Sequence, residues 1–74
     1  MRIEVSLFAT LQEGRFRRKP LELPDGSTVA DVFRHLGLGD REAAIVLVNE
    51  AAATRDQRLS SGDAVSLLPA LSGG

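Results

Sequence analysis

The chain has no cysteine, no tryptophan and no tyrosine. Because it can form neither a disulfide nor a thiolate zinc site, its fold must depend on apolar packing, and we expect a reducing cytoplasm as its location. Long apolar runs are also absent: the longest covers residues 43–48, whereas a membrane-spanning helix needs about 20 apolar residues. The N-terminus lacks the apolar core of a signal peptide. We therefore expect a soluble protein with no membrane partner.

Neither sign of charge is in excess. Nine basic and ten acidic residues give a formal net charge of −1, whereas nucleic-acid-binding domains usually have a clear positive excess. The 74 residues make one domain, and a chain this short buries only about 60% of the surface that its unfolded form exposes. A deep catalytic pocket would not fit, and we expect no nucleic-acid partner.

The N-terminal part of the chain has the pattern of a hairpin. Residues 2–11 alternate apolar and polar side chains, as a half-buried strand requires. Residues 12–19 contain a glycine and four basic side chains and are predicted as the hairpin connection, and residues 21–23 as a short second strand. Pro20 has no amide proton, so this strand should lie at an edge of the sheet.

A helix is predicted after the hairpin. Residues 24–26 form a turn signal, and Thr28 with Asp31 three residues later matches the pattern that caps a helix start. The apolar side chains then recur at helical spacing and form one stripe that can cover a sheet. These side chains are Val29, Val32, Phe33 and Leu36. Gly37 is expected to end the helix in a left-handed conformation.

The rest of the chain consists of short strands. A β-branched run that is too short for a helix is read as buried strand, and clusters of glycine, serine and acidic residues as turns. The predicted segments are a third strand at 44–49, an imperfect turn at Asn49 and Glu50, a weak fourth strand at 51–54, a return of Leu59 to the core, a turn at 60–63 and a last strand at 64–68, which Pro69 ends.

This order of elements indicates the α+β fold class, with one main helix packed on one face of a mixed sheet. The β-grasp, or ubiquitin-like, fold is the simplest such arrangement. If the first and last strands are central neighbours, as in that fold, the C-terminus leaves the middle of the sheet from a rigid point. We expect residues 1–69 to form the domain and residues 70–74 a flexible tail.

The tail ends in Gly73 and Gly74. Its five residues reach on the order of 17 Å, enough to enter another protein's active site. Glycine has no Cβ, so this pair suits a narrow channel. The terminal carboxylate is ionised at neutral pH and is a competent nucleophile toward the α-phosphate of ATP, but its activation would need a partner enzyme. The plain alternative is a frayed terminus of no consequence.

The chain resembles the ubiquitin-like sulfur carriers over essentially its whole length. This is the family of the molybdopterin synthase small subunit and of the thiamine-pathway sulfur carrier. The stretches that support the resemblance are RIEVSLFATL, TVADVFRHLG, AIVLVNE, LSSGDAVSLLP and the terminal GG. The LFATL ending of the first strand is closer to the molybdopterin branch. The departures from pattern are Glu50 where glycine often follows asparagine, Pro69-Ala70 where two prolines are frequent, and aliphatic Leu68 where an aromatic is frequent.

The resemblance implies a carrier without catalytic residues or a bound cofactor. An adenylating enzyme of the ubiquitin-activating type would consume ATP to form a transient acyl-adenylate at Gly74, and a desulfurase system would supply sulfur for a thiocarboxylate. A larger synthase subunit would then receive that sulfur. In this reading Gly74 carries the sulfur and Gly73 gives it access. The alternatives are a sulfur carrier for thiamine thiazole synthesis, a protein modifier that forms isopeptides with lysines, and a β-grasp interaction or RNA-binding module.

Partner contacts are expected next to the tail. Phe8 and Leu68 share the outer sheet face by parity and would form a small exposed patch. Ordinary surface is an equally simple interpretation, but the nearby tail and the family's use of this face favour a partner site. Ala70, Leu71 and Ser72 would extend the contact into the partner's groove.

The remaining polar features predict no chemistry by the chain alone. Arg15, Arg17, Arg18 and Lys19 form a basic cluster that is best read as a solvated loop, with steering toward an acidic partner as the second interpretation. His35 lies on the polar side of the helix, and a single histidine makes neither a metal site nor a triad. We therefore expect no catalytic residues and no metal.

Overall fold

The computed structural model describes residues 1–39 and 41–70. Its elements in chain order are β1 (Arg2–Leu7), a 3₁₀ turn (Ala9–Gln12), β2 (Arg18–Glu22), α1 (Val29–Leu36), β3 (Ile45–Val48), β4 (Ala51–Ala52) and β5 (Ala64–Leu68). The strands form one sheet in the order β2-β1-β5-β3-β4. β1 and β5 are parallel central neighbours, and the other neighbouring pairs are antiparallel. This confirms the predicted β-grasp architecture.

The helix begins and ends at the predicted residues. The backbone N–H of Thr28 donates to the Asp31 carboxylate at 2.8 Å, and the Asp31 N–H donates back to the Thr28 carbonyl at 3.0 Å. At the other end, Gly37 has φ 71°, and its N–H donates to the Arg34 carbonyl at 3.2 Å. Both ends of α1 therefore satisfy backbone groups that a short helix would otherwise leave unpaired.

The core lies between α1 and one face of the sheet. Val29 and Val32 are fully buried on the helix, and Leu59 returns to the core as predicted, with 4% of its surface exposed. Burial of each such side chain stabilises the fold by about 1.5–3 kcal/mol. The buried sheet side chains that face the helix are Ile3, Val5, Leu7, Leu21, Val46, Val48, Val65 and Leu67.

The prediction that β1 continues to residue 11 is wrong. The strand ends at Leu7, and Ala9 has φ 53°, a left-handed conformation that turns the chain out of the ladder. The 3₁₀ turn that follows buries Leu11, which is only 4% exposed. The apolar alternation therefore continues past the end of the strand, because the 3₁₀ turn buries Leu11 just as a longer strand would.

The second strand is longer than predicted, and two other strands are shorter. β2 begins at Arg18, inside the predicted loop, because Lys19 and Arg18 pair with β1. β2 is an edge strand that contains Pro20, as expected. β3 and β4 cover only part of the predicted 44–49 and 51–54, and the turn between them has φ 51° at Asn49 and 70° at Glu50. In the part of the chain that the structure describes, no helix is long and apolar enough to cross a membrane.

Candidate functional site

The chain leaves the sheet at the end of β5 from a fixed point. Phe8 donates its backbone N–H to the Leu67 carbonyl at 3.2 Å, and Ala44 donates its N–H to the Leu68 carbonyl at 3.0 Å. The residues that directly follow β1 and precede β3 therefore hold the last two residues of β5. Pro69 follows without an N–H to continue the ladder. The chain after Leu68 thus starts from the middle of the sheet, at a point that hydrogen bonds fix on both sides.

An apolar patch surrounds this exit on the sheet face opposite the helix. Leu68 pairs with Ile45 across the antiparallel β3–β5 ladder, and Phe8 follows Leu7, whose partner on β5 is Leu67. Because side chains alternate between faces along a strand, burial of Leu7 and Leu67 sends Phe8 and Leu68 to the outer face. We call Phe8, Ile45 and Leu68 the exit patch.

The exit patch is exposed to solvent to an unusual degree for this domain. The exposed fraction is 43% for Phe8 and 45% for Ile45, and Leu68 is half-buried. Among the residues that the structure describes, Phe8 and Ile45 are the large hydrophobic residues that are exposed. Covering an apolar side chain of this size with a partner contributes up to about 1.5–3 kcal/mol. Single exposed apolar residues are ordinary surface, whereas larger contiguous apolar patches mark interaction sites, and these three residues adjoin one another.

The structure describes only part of the predicted contact set. Phe8 and Leu68 lie together on the outer face, and Ala70 is exposed just beyond Pro69. Leu71, Ser72, Gly73 and Gly74 lie outside the described residues. The predicted partner contacts, those of Phe8, Leu68 and Ala70 included, and the predicted role of the tail in sulfur transfer stay predictions.

Ile45 was missed by sequence reasoning. The run at 44–49 was interpreted as wholly buried, but Ile45 is exposed and Leu47 is half-buried, whereas Val46 and Val48 are buried. Ile45 differs in parity from the inward residues Val46 and Val48, but parity alone does not say which face is inward. An all-apolar run gives no contrast between the two faces, and only the position of the helix decides which face is covered.

The basic cluster is partly neutralised. Arg15 forms an ion pair with Glu42 at 3.5 Å, and the Arg18 Nε lies 3.4 Å from a Glu4 carboxylate oxygen. The Lys19 Nζ lies 5.4 Å from the centre of the Phe16 ring. Such exposed pairs contribute about 0–1 kcal/mol each and are screened by salt. The cluster is thus a set of separate surface contacts and not a continuous cationic block.

His35 is exposed near the C-terminal end of α1. In residues 1–39 and 41–70, no group of three or more metal-ligating side chains lies close enough to hold an ion. The open depression next to the helix start is lined by the turn at residues 24–27 and by Asp31, Arg34 and His35. Arg34 and Asp31 are paired with each other there.

A mixed sheet with one helix on one face, whose last strand exits centrally beside an apolar patch, defines a ubiquitin-like β-grasp protein. The model of the ThiS family matches residues 5–74, and the chain belongs to this family. Membership confirms the resemblance to the ubiquitin-like sulfur carriers.

Three solved structures are similar over essentially the whole chain. The Haloferax volcanii HVO 2177 protein is 31% identical, with a TM-score of 0.82. The alignment covers 100% of this chain and 87% of that protein. SAMP1 from Haloferax volcanii, a small archaeal modifier protein, is 28% identical with a TM-score of 0.79 and full coverage of both chains.

The third is a complex of subunits 1 and 2 of the molybdopterin-converting factor from Helicobacter pylori. The matched chain is 21% identical with a TM-score of 0.66, and both chains are covered completely. At this identity the likeness concerns the fold.

Proposed function

We propose that this protein is a sulfur carrier whose Gly74 carboxylate is adenylated by a partner enzyme and converted to a thiocarboxylate. The observation that supports this most is the exit of β5, which is held by Phe8 and Ala44 from both sides and lies beside the exit patch. A partner that docks on this patch receives the terminal segment at a fixed position. Family membership supports the same function.

The chemistry uses the carboxylate of Gly74 and no other group of this chain. One carboxylate oxygen attacks the α-phosphorus of ATP, and pyrophosphate leaves. A sulfur nucleophile supplied by a desulfurase system then attacks the acyl carbon, and the acyl–oxygen bond to AMP breaks. The adenylating enzyme and the desulfurase supply the catalytic groups, so this chain acts as their substrate.

We further propose that the sulfur is delivered to a molybdopterin precursor, with a larger synthase subunit as the second partner. In support, the sequence stretch LFATL is of the molybdopterin type, and the Helicobacter pylori relative of this fold is subunit 1 of a two-subunit converting factor. The alternative acceptor is the thiamine thiazole. Rescue of molybdopterin synthesis, and not of thiamine synthesis, in strains that lack the respective carrier would support the first route.

The deciding experiment is incubation with the adenylating enzyme, ATP and a sulfur donor, followed by intact mass analysis. We expect a mass increase equal to the difference between sulfur and oxygen. Deletion of Gly74 should abolish this increase. The matched control is Gly39→Ala, because Gly39 has no positive φ and open space where a Cβ would lie. Full activity after loss of both terminal glycines would contradict the proposal.

A second candidate is a protein modifier, which the name of SAMP1 favours. The same activated carboxylate would then form an isopeptide bond with a lysine of another protein. Recovery of Gly74 linked to lysines in digests of cells would support this function. Recovery of the free carrier alone would oppose it.

A further inference from the structure

The exit patch has a cationic flank on its β2 side. On the β2 side, an open groove between the end of β1 and the start of β2 is lined by Phe8 of the patch and by Gln12, Arg17 and Arg18. On the other side, before the start of β3, the Arg55 guanidinium donates to the Ala43 carbonyl at 3.0 Å. The patch therefore has a cationic border on the β2 side, formed by the exposed side chains of Arg17 and Arg18.

Arg17 contributes the uncompensated charge of this border. Its carbonyl accepts the Leu7 N–H at 2.8 Å, so its backbone is fixed directly beside the end of β1, one residue from Phe8. Arg17 is exposed and forms no ion pair with any other residue that the structure describes, unlike Arg18, which is near Glu4. A guanidinium is always charged and has five donors that match a carboxylate.

We propose that the protein that docks on the exit patch has carboxylates opposite Arg17 and Arg18, while its apolar centre covers Phe8, Ile45 and Leu68. The proposal rests on the proposed function, since it names the chemistry of the partner surface that receives the tail. We call Arg17 and Arg18 the cationic flank. A protein fits better than RNA, because the patch is mainly aliphatic and offers no array of aromatic side chains for base stacking.

The cationic flank orients the docked partner relative to the exit of β5. An apolar patch is non-directional and permits several rotations of a partner about the sheet normal. A cationic flank favours the rotation that brings the partner's carboxylates to β2, because that rotation places them opposite Arg17 and Arg18. The flank thereby sets the direction in which the segment after Pro69 enters the partner, and it also accelerates association at low salt.

The test compares two charge reversals, Arg17→Glu and Arg58→Glu. Arg58 is exposed, and its strand-like contact is with Thr28 at the helix start, away from the exit patch. Both variants change the net charge equally. With the adenylating enzyme at low salt, we expect Arg17→Glu to lower the association rate constant and kcat/KM about 10-fold, with kcat unchanged. Arg17→Gln should be intermediate, and Arg58→Glu should match the wild type.

Salt provides the second readout. The difference between Arg17→Glu and the wild type should shrink at high salt, where exposed charges are screened. Equal losses in the two reversals would show an effect of net charge alone and overturn the proposal. Unchanged association of Arg17→Glu, or no association of the wild type with the enzyme, would also overturn it. Association that depends on Arg17 without any adenylation would contradict the proposed function but support the flank.

RNA is tested directly as the competing ligand. A labelled uridine oligonucleotide is titrated with the wild type and with Arg17→Glu, and binding is followed by fluorescence anisotropy. We expect no salt-sensitive binding in either case. Binding that Arg17→Glu abolishes, together with an unchanged kcat/KM for adenylation, would overturn the proposal in favour of a nucleic-acid site.

Discussion

Leu68 of β5 and Ile45 of β3 lie directly opposite each other in the antiparallel ladder, on the sheet face that α1 does not cover. Directly opposite side chains have their Cβ atoms about 5 Å apart, so the pair forms one continuous apolar surface. Leu67, the preceding residue, is fully buried on the other face. Leu67 therefore packs in the core, whereas its neighbour Leu68 forms part of the outer surface.

This separation predicts different effects of two matched substitutions. Leu67→Ala should lower the free energy of unfolding by about 2–5 kcal/mol, because it leaves a cavity in the core. Leu68→Ala should lower it by about 1 kcal/mol or less, since Leu68 is half-buried. Urea unfolding measures both. Leu68→Ala should nevertheless raise the KM for adenylation, and equal stability losses in the two variants would contradict the assigned faces.

Ile45→Asp should weaken partner binding without unfolding the domain. The exposed position allows the substitution at a cost of about 0.5 kcal/mol, but a carboxylate in the centre of the contact must be desolvated when the partner docks. The expected result is at least about a 10-fold loss of affinity, measured by calorimetry. Gln57→Asp is the control, because Gln57 is exposed next to the start of α1. Similar losses in both variants would mean that the patch is not the contact.

The turn between β3 and β4 should be stabilised by Glu50→Gly. Glu50 has φ 70°, where a residue with a Cβ is strained and glycine is not. We expect a gain of about 0.5–1 kcal/mol after the larger unfolded-state entropy of glycine is included. Thermal unfolding measures this gain.

Asn49→Gly is the informative counterpart, because Asn49 also has positive φ, at 51°. Its side-chain oxygen accepts the Ala64 N–H at 2.9 Å, and its amide donates to Asp63 at 3.0 Å. Loss of these bonds should destabilise the protein by about 1 kcal/mol, despite the relief of strain. Stabilisation by Asn49→Gly would show that these two bonds contribute nothing.

Pro20 should protect the β2 edge from self-association. The ladder bonds at both ends of β2, Leu7 to Arg17 and Leu23 to Met1, involve odd-numbered residues, so position 20 faces outward from the edge. At this position, proline has no backbone N–H to donate to a strand of another molecule that pairs with the edge. Pro20→Thr should increase concentration-dependent association in sedimentation experiments. The control is Pro24→Thr, because Pro24 lies outside the strands; this variant should associate no more than the wild type does.

The helix and the last strand could be predicted to the residue. In α1, the Thr28–Asp31 cap, the apolar stripe and Gly37 are local signals that agree with one another. In β5, the turn before Ala64 and Pro69 after Leu68 limit the strand on both sides. Such signals lie within a few residues of the structure that they determine, so the sequence shows them directly.

The end of β1 and the exposure of Ile45 could not be predicted in this way. Ala9 takes a left-handed conformation although alanine does not favour it, and nothing local marks the bend. Ile45 resembles its buried neighbours in composition, and its exposure depends on a helix that is distant in sequence. Both outcomes are decided by packing between segments that are far apart along the chain.

The sequence by itself determined the order of elements, the capped helix, the edge position of Pro20 and the glycine pair at its end, because periodicity, capping and proline stereochemistry act locally. The tertiary structure decided which apolar residues form the surface at the exit of β5 and which arginine beside it forms no ion pair with another described residue. These features depend on which face α1 covers and on the distances between side chains from different strands. Local pattern does not contain that information.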